Sequence, residues 1–204
     1  MPLSIDTLAS LGLGLGLAAA CGFRVFVPLL VVSVGAHFGY VPLAAGWQWM
    51  GSTPAMLAFA CATAFEILGY YIPWVDHVLD TVAAPAAVAA GVVTSASVLA
   101  DLPPLLRWTA VIIGGGGLAA LVQGSTSALR AASTVTTGGL GNPIVATAEL
   151  AGSTVASVVS VLFPLLAVFG VALAVVLAIV VIRRGGRRRR ATGARPPAGP
   201  EPAG

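Results

Sequence analysis

Long apolar runs separated by short breaks make up most of this chain and restrict its fold more than any other feature. An apolar run of about 20 residues crosses a bilayer as a helix, because lipid offers no partner to an unpaired backbone group. Only 8% of the 204 residues are charged and 58% are hydrophobic, with a mean hydropathy of +0.99. A soluble domain carries about 25% charged residues. The composition therefore excludes a soluble enzyme, a disordered chain and a nucleic-acid-binding domain.

The apolar runs predict an all-α fold, a polytopic transmembrane helical bundle with about six spans. The predicted spans cover residues 5–39, 54–72, 74–99, 105–137, 143–160 and 161–182. The first run would measure about 52 Å as one helix, against a hydrocarbon core of about 30 Å. Because Gly22, Arg24 and Pro28 interrupt this run, we expect a broken helix: one crossing, then a bent or half-length piece.

The two parts of the apolar region, residues 5–99 and 105–182, share an order of ionisable residues. Each part has an overlong, interrupted element with an Arg inside it, Arg24 or Arg130, then a span with one Glu and a Gly three residues later. Three crossings in each half predict an inverted 3+3 internal repeat with broken or re-entrant helices, as is frequent in transporters. If each overlong element crosses twice, the halves have four crossings and are parallel.

The C-terminal residues differ in charge from the rest of the chain. All ten basic residues are Arg, and seven of them lie in residues 183–204. We expect one transmembrane domain, residues 1–182, and then a disordered tail rich in Arg, Pro and Gly. Positive charge beside a span marks the cytoplasmic side. The sequence thus predicts a multi-pass protein of the bacterial cytoplasmic membrane with both termini in the cytoplasm. Its tail would contact anionic lipid head groups and no nucleic acid.

Four ionisable residues inside the apolar runs are the main candidates for a functional site: Arg24, Arg130, Glu66 and Glu149. A charge at a helix centre costs about 2.5–3.5 kcal/mol on insertion scales, so such residues pair or face a polar cavity. One interpretation is structural, with two buried Arg–Glu bridges. The other is a polar midplane site, where the arginines bind an anion and the carboxylates balance charge or relay protons. Hydroxyl side chains around Arg130 either bond backbone carbonyls or line a hydrated path.

Two further candidate sites lie at helix starts. Asp76 and Asp80 share one face of the third span. They either cap the helix or bind a cation or protons at a membrane entrance, and with His77 they are too few to assign a metal. Asn142 belongs to a Gly-Asn-Pro turn, where it either caps the fifth span or leaves that helix N-terminus open to an anion.

Several short stretches of sequence carry a family resemblance. They are Gly22-Phe23-Arg24 with Pro28, Ile72-Pro73-Trp74-Val75-Asp76-His77-Val78-Leu79-Asp80-Thr81, Ala84-Pro85 with Gly91, and Gly141-Asn142-Pro143 with Glu149. With them the chain resembles the bacterial DUF4126 family of small integral membrane proteins, over about residues 8–170. The resemblance implies membrane residence and brings no assigned reaction, substrate or site.

Together these features predict a small transporter or permeation pathway for an unknown small solute that is anionic or proton-coupled. The two arginines would attract the anionic group, and the two glutamates would hold them or exchange protons. Asp76 and Asp80 would guard the cytoplasmic mouth. We expect no cofactor, no metal and no catalytic residue, while the glycine ridges are compatible with a homodimer.

Two other functions remain open from the sequence. The first is a non-catalytic membrane scaffold or assembly protein with structural Arg–Glu pairs. It predicts that exchanging the charges of Arg24 and Glu66 restores stability. The second is an intramembrane enzyme acting on a lipid phosphate, for which the sequence has no convincing nucleophile and base.

Overall fold

The computed structural model describes residues 4–100, 102–173, 175 and 176, so the predicted tail at 183–204 lies outside the described residues. Within the described part, every regular element is helical. The helices are α1 (Ile5–Cys21), α2 (Phe26–His37), α3 (Thr53–Gly69), α4 (Pro73–Val98), α5 (Pro104–Thr137), α6 (Asn142–Leu162) and α7 (Pro164–Leu173). The predicted all-α fold is confirmed.

Three of the described helical stretches are long and apolar enough to cross a membrane: Val78–Val98, α5 and α6. The other four helices are apolar but shorter. The 12 residues of α2 extend about 18 Å, less than the hydrocarbon core of about 30 Å. Apolar helices of this length and composition are compatible with a membrane protein. The count of six spans and the inverted repeat stay predictions.

The chain divides into a compact unit, Met1–Val171, and a second unit, Ala172–Gly204. In the second unit the described residues are 172, 173, 175 and 176, and they are helical. All the candidate site residues belong to the first unit.

Helix α1 packs antiparallel to α6 through small side chains. Ser153 of α6 donates a hydrogen bond to the carbonyl of Ala20 at 3.0 Å. One turn earlier in α1, Gly16 lies against Ser160, further along α6. Just after α1, a Cβ at Gly22 would lie 2.6 Å from a backbone carbonyl oxygen of α5. Small residues therefore let the helix backbones approach closely, as in membrane helix pairs.

The chain reverses at residues 22–25, so the overlong first run folds as a hairpin of α1 and α2. Helix α2 runs back along α6, as shown by the groove that its Val34 shares with Leu162 at the end of α6. Helix α3 returns toward the same turn, where its Glu66 reaches the first amides of α2. After a second turn at residues 70–72, α4 leads away again. The two turns thus meet inside the bundle.

Helices α5 and α6 form another hairpin, which extends beyond those two turns. The 34 residues of α5 include a π-helical turn at Ala110–Gly116. Helix α5 ends at Gly138, whose φ of 63° is in the left-handed region that glycine adopts without strain. Glu149 is seven residues inside α6, about 10 Å from the first residue of that helix. The middle of this hairpin therefore faces the two inner turns.

Candidate functional site

The inner turns and the α5–α6 hairpin bring five ionisable side chains into one buried group: Arg24, Glu66, Asp76, Arg130 and Glu149. Each is between 2% and 7% exposed. Each comes from a different segment, namely the turn after α1 and helices α3, α4, α5 and α6. We call these residues, together with Tyr70 and Asp80, the ionic cluster. The five buried ionisable residues were all selected from the sequence, and their functional roles stay predictions.

Arg130 has a full set of acidic partners. Its Nε donates to Oε1 of Glu149 at 2.9 Å, and its Nη2 donates to Oε2 of the same carboxylate. Its Nη1 donates to Oδ1 of Asp76 at 2.6 Å and lies 3.6 Å from Oδ1 of Asp80. The bidentate pair with Glu149 has the parallel geometry that makes such bonds strong and directional. Arg130 therefore ties α5 to both α4 and α6.

Arg24 is 2% exposed and is bonded much less completely. Its Nη2 donates to the backbone carbonyl of Ala146 at 2.8 Å and lies 3.6 Å from Oε2 of Glu149. Both oxygens of Glu149 already accept from Arg130. No atom of the described residues accepts a hydrogen bond from Nε or Nη1 of Arg24. Three N–H groups of a buried cation thus have no acceptor among the described residues, an arrangement that costs free energy unless water or a ligand accepts them.

Glu66 binds the start of α2 rather than an arginine. Its Oε1 accepts from the backbone N–H of Val25 at 2.8 Å, and its Oε2 accepts from the N–H of Phe26 at 3.0 Å. The first amides of a helix have no partner within the helix and carry partial positive charge, so a carboxylate there is stabilising. Because Val25 makes no side-chain cap of its own, Glu66 supplies that cap from α3. The Arg24–Glu66 bridge of the structural interpretation is not formed.

Tyr70 is a member of the cluster that the sequence analysis did not select. The guanidinium carbon of Arg24 lies 3.8 Å from the centroid of the Tyr70 ring, and that of Arg130 lies 4.3 Å from it. Both distances are within the range of cation–π attraction. Tyr70 follows Glu66 by four residues and so faces the same side of α3. That four-residue spacing, just before the turn into α4, was the sequence signal that could have identified Tyr70 as a neighbour of Glu66.

The cluster carries more acid than base. Its two guanidinium groups face four carboxylates, those of Glu66, Asp76, Asp80 and Glu149. The N-terminus of α2 contributes the equivalent of about half a positive charge beside Glu66. The formal balance still leaves negative charge in excess inside a region of low dielectric constant, where such an excess is costly.

Asp76 and Asp80 point toward Arg130 from the start of α4. Asp76 lies in the first turn of that helix and is buried, whereas Asp80, one turn further along, has a side chain that is 31% exposed. The structure thus places both acids beside an arginine. Among the described residues, no group of three His, Cys, Asp or Glu side chains is arranged to hold a metal ion.

Asn142 and the hydroxyl residues of α5 lie apart from the cluster contacts. The Nδ2 of Asn142 donates to Oγ1 of Thr134 at 3.2 Å, which joins the two ends of the α5–α6 turn. The residue before the first turn of α6 is Gly141, so Asn142 is the first helical residue. On α5, hydroxyls such as Ser125 and Thr136 donate to carbonyls of their own helix. Hydrogen bonds from these hydroxyl groups to backbone carbonyls were one of the two interpretations of the sequence, and a hydrated path was the other.

A family model covers most of the chain. The family described as Domain of unknown function (DUF4126) matches residues 11–184. The chain belongs to the DUF4126 family. The match confirms the resemblance inferred from the short motifs. No curated protein and no solved structure matches the chain, so a function for this DUF4126 member has to be argued from the ionic cluster.

Proposed function

We propose that this DUF4126 protein is a small transporter or permeation pathway, and that the ionic cluster is its site for an anionic, proton-coupled solute. The observation that carries the proposal is the state of Arg24. A buried guanidinium with three N–H groups unpaired within the described protein is prepared to bind an acceptor oxygen. Carboxylate and phosphate groups match guanidinium geometry best.

The charge balance supports coupling to protons. Four carboxylates with two guanidinium groups leave an excess of negative charge, and an incoming anion would increase it. Protons bound to carboxylates offset this excess, so the anion and the protons would move together. Asp80 is suited to exchange protons with water, since its side chain is 31% exposed.

The two arginines would divide the work in this mechanism. Arg24 would contact the solute, and Arg130 would hold Glu149 and Asp76 in place around it. The remaining features of the proposal are six spans, a midplane position of the site, an inverted relation between the halves, and residence in the bacterial cytoplasmic membrane with both termini cytoplasmic. The mismatch between short α2 and long α5 supports re-entrant helices, which are common where transporters bind ions.

The experiment uses the full chain in liposomes that contain a pH-sensitive dye. An inward gradient of inorganic phosphate, succinate or chloride is imposed, and the internal pH is followed. The proposal expects acidification faster than in protein-free liposomes for at least one of these anions. Arg24→Gln should slow that rate by about tenfold or more, because about 1.4 kcal/mol of binding free energy corresponds to a factor of ten.

Two variants serve as matched controls. Arg107→Gln removes an arginine that lies outside the cluster and donates to the carbonyl of Ala96. Asp6→Asn removes an exposed acid in the first turn of α1. Both should transport at the wild-type rate. Protein-free rates for all three anions with the wild-type protein would overturn the proposal, and a wild-type rate in Arg24→Gln would remove Arg24 from the site.

The scaffold function is a second candidate, and the saturated contacts of Arg130 favour it. A purely structural cluster predicts that Arg24→Gln and Arg130→Gln differ only in stability and that no anion changes the internal pH. The same flux experiment therefore separates the two functions, with the folded state of each variant checked by size-exclusion chromatography and circular dichroism.

A further inference from the structure

A large apolar cavity lies beside the ionic cluster. It has a volume of about 610 Å³ and is bounded by α2, α3 and α4. This volume falls within the range of about 300–1,000 Å³ that is typical of ligand sites. Its walls include Phe65, Leu68, Val75 and Leu79. Phe65 and Leu68 are 76% and 62% exposed, so the cavity opens sideways on the apolar surface of the bundle, where lipid would lie.

The cavity lining includes residues of the ionic cluster. Glu66 and Tyr70 are among its lining residues, as are Val25 and Phe26, whose amides Glu66 binds. The guanidinium carbon of Arg24 lies 3.8 Å from the centroid of the Tyr70 ring. Arg24 is not among the lining residues, so a molecule that fills the cavity from the lipid side would reach its guanidinium group past the Tyr70 ring.

The hydrogen bonds already made beside the cavity indicate which lipid head group could bind there. Both oxygens of Glu66 are bonded to backbone amides, and both oxygens of Glu149 are bonded to Arg130. Those two acids have their donors, whereas Nε and Nη1 of Arg24 have no acceptor in the described protein. The unmet demand is for acceptor oxygens with negative charge, and a phosphate group supplies several of them.

We propose that this cavity binds a single-chain lipid phosphate that enters from the bilayer, with its chain in the cavity and its phosphate at Arg24. The inference rests on the proposed function of the cluster as a solute site and names the class of that solute. The apolar walls take the chain, the unbonded N–H groups of Arg24 donate to the phosphate, and protons on the carboxylates offset its charge, as in the proposed function.

The test compares two photoreactive probes that differ only in the phosphate. One is a lysophosphatidic acid with a diazirine in its acyl chain, and the other is the monoacylglycerol with the same chain. The full-length protein in nanodiscs of neutral phospholipid is labelled with each, digested and analysed by mass spectrometry. The phosphate probe should label α2–α4 about tenfold more than the neutral probe, which is the factor that about 1.4 kcal/mol provides.

Two variants and two matched controls locate the site. Arg24→Gln should bring the labelling by the phosphate probe down to that of the neutral probe. Ala62→Phe, which places a ring in the cavity wall, should reduce labelling by both probes. Its control is Ala64→Phe, at an exposed position of the same helix that is outside the cavity lining. Arg107→Gln is the control for charge. Both controls should label as the wild type does.

Equal labelling by the two probes, or labelling that Ala62→Phe leaves unchanged, would mean that surrounding lipid fills the cavity without selection and would overturn the inference. A fatty acid with the same diazirine chain is a third probe. If it labels more strongly than the phosphate probe, the head group assignment is wrong. Because labelling needs no transport, flux of a soluble anion without selective labelling would retain the proposed function and reject this ligand class.

Discussion

Arg24 and Arg130 occupy equivalent places in the sequence pattern and have opposite surroundings in the structure. Arg130 reaches three carboxylates, one of them through two parallel hydrogen bonds. Arg24 donates one hydrogen bond to a backbone carbonyl, and its closest carboxylate contact is at 3.6 Å. A buried arginine in an apolar run is therefore a structural tie where acids saturate it, and a candidate binding group where they do not.

The largest expected effect comes from removing the saturated arginine. Arg130→Gln leaves Glu149 and Asp76 buried beside a neutral amide, and breaking a buried ion pair in this way costs about 3–5 kcal/mol. Unfolding by sodium dodecyl sulfate in mixed micelles measures the change. Arg24→Gln, which removes one hydrogen bond from a charged donor, should cost about 1.5–3 kcal/mol. Equal losses for the two variants would contradict the contrast drawn between these arginines.

Coupling energies test the pairings directly. A double-mutant cycle with Arg130→Gln and Glu149→Gln should give an interaction of about 1–3 kcal/mol, as expected for residues in direct contact. The corresponding cycle with Arg24→Gln and Glu66→Gln should give less than about 1 kcal/mol, because these side chains form no bridge. The same unfolding assay serves both cycles, and a stronger Arg24–Glu66 coupling would support the bridge of the structural interpretation.

The cap on α2 gives an intermediate effect. Glu66→Ala removes both acceptors from the amides of Val25 and Phe26, which should cost about 1–2 kcal/mol as lost helix caps do. Hydrogen exchange followed by mass spectrometry should show faster exchange at the start of α2, with α6 unchanged. Glu66→Gln, which keeps one acceptor oxygen, should lie between the wild type and Glu66→Ala. Unchanged exchange at Val25 and Phe26 would show that Glu66 does not cap α2.

The smallest effect concerns Tyr70. Tyr70→Leu removes the ring beside both guanidinium groups and should destabilise the protein by about 0.5–2 kcal/mol, the range of cation–π interactions. Tyr70→Phe keeps the ring and should lose less. Combining Tyr70→Leu with Arg24→Gln should give a smaller loss than the sum of the two, because the variants remove a shared contact. Full additivity of the two changes would show that the ring does not interact with Arg24.

Much of the cluster's membership was predictable, whereas its pairing was not. The positions of four ionisable residues in apolar runs predict their burial, since an ionisable residue there pairs with another polar or charged group. These residues are Arg24, Glu66, Arg130 and Glu149. The assignment of Glu66 to Arg24 followed from their order in one half of the chain. The reversal at residues 22–25 instead presents the N-terminus of α2 to Glu66, and it directs Arg24 toward α6 in the other half.

Tyr70 and the lateral cavity were missed for a related reason. A tyrosine at the end of an apolar helix resembles an interfacial residue, and its ring becomes a contact for two cations only when the turns at 22–25 and 70–72 meet. The cavity lies between α2, α3 and α4 beside that meeting point. It has no local sequence pattern, and the four-residue spacing of Glu66 and Tyr70 shows a shared helix face but not the contacts that distant segments bring to it.

The amino-acid sequence alone indicates that this chain is helical and apolar, where its first run breaks, and which ionisable side chains have to be buried. The reason is that lipid-compatible backbone is restricted to hydrogen-bonded helices, and that the period of a helix and the chemistry of each side chain are local properties. The tertiary structure set which carboxylate meets which guanidinium, that Glu66 caps α2, and that Arg24 has donors without an acceptor among the described residues. These outcomes depend on the depth at which each hairpin turns, and that depth is set by the packing of all the helices together.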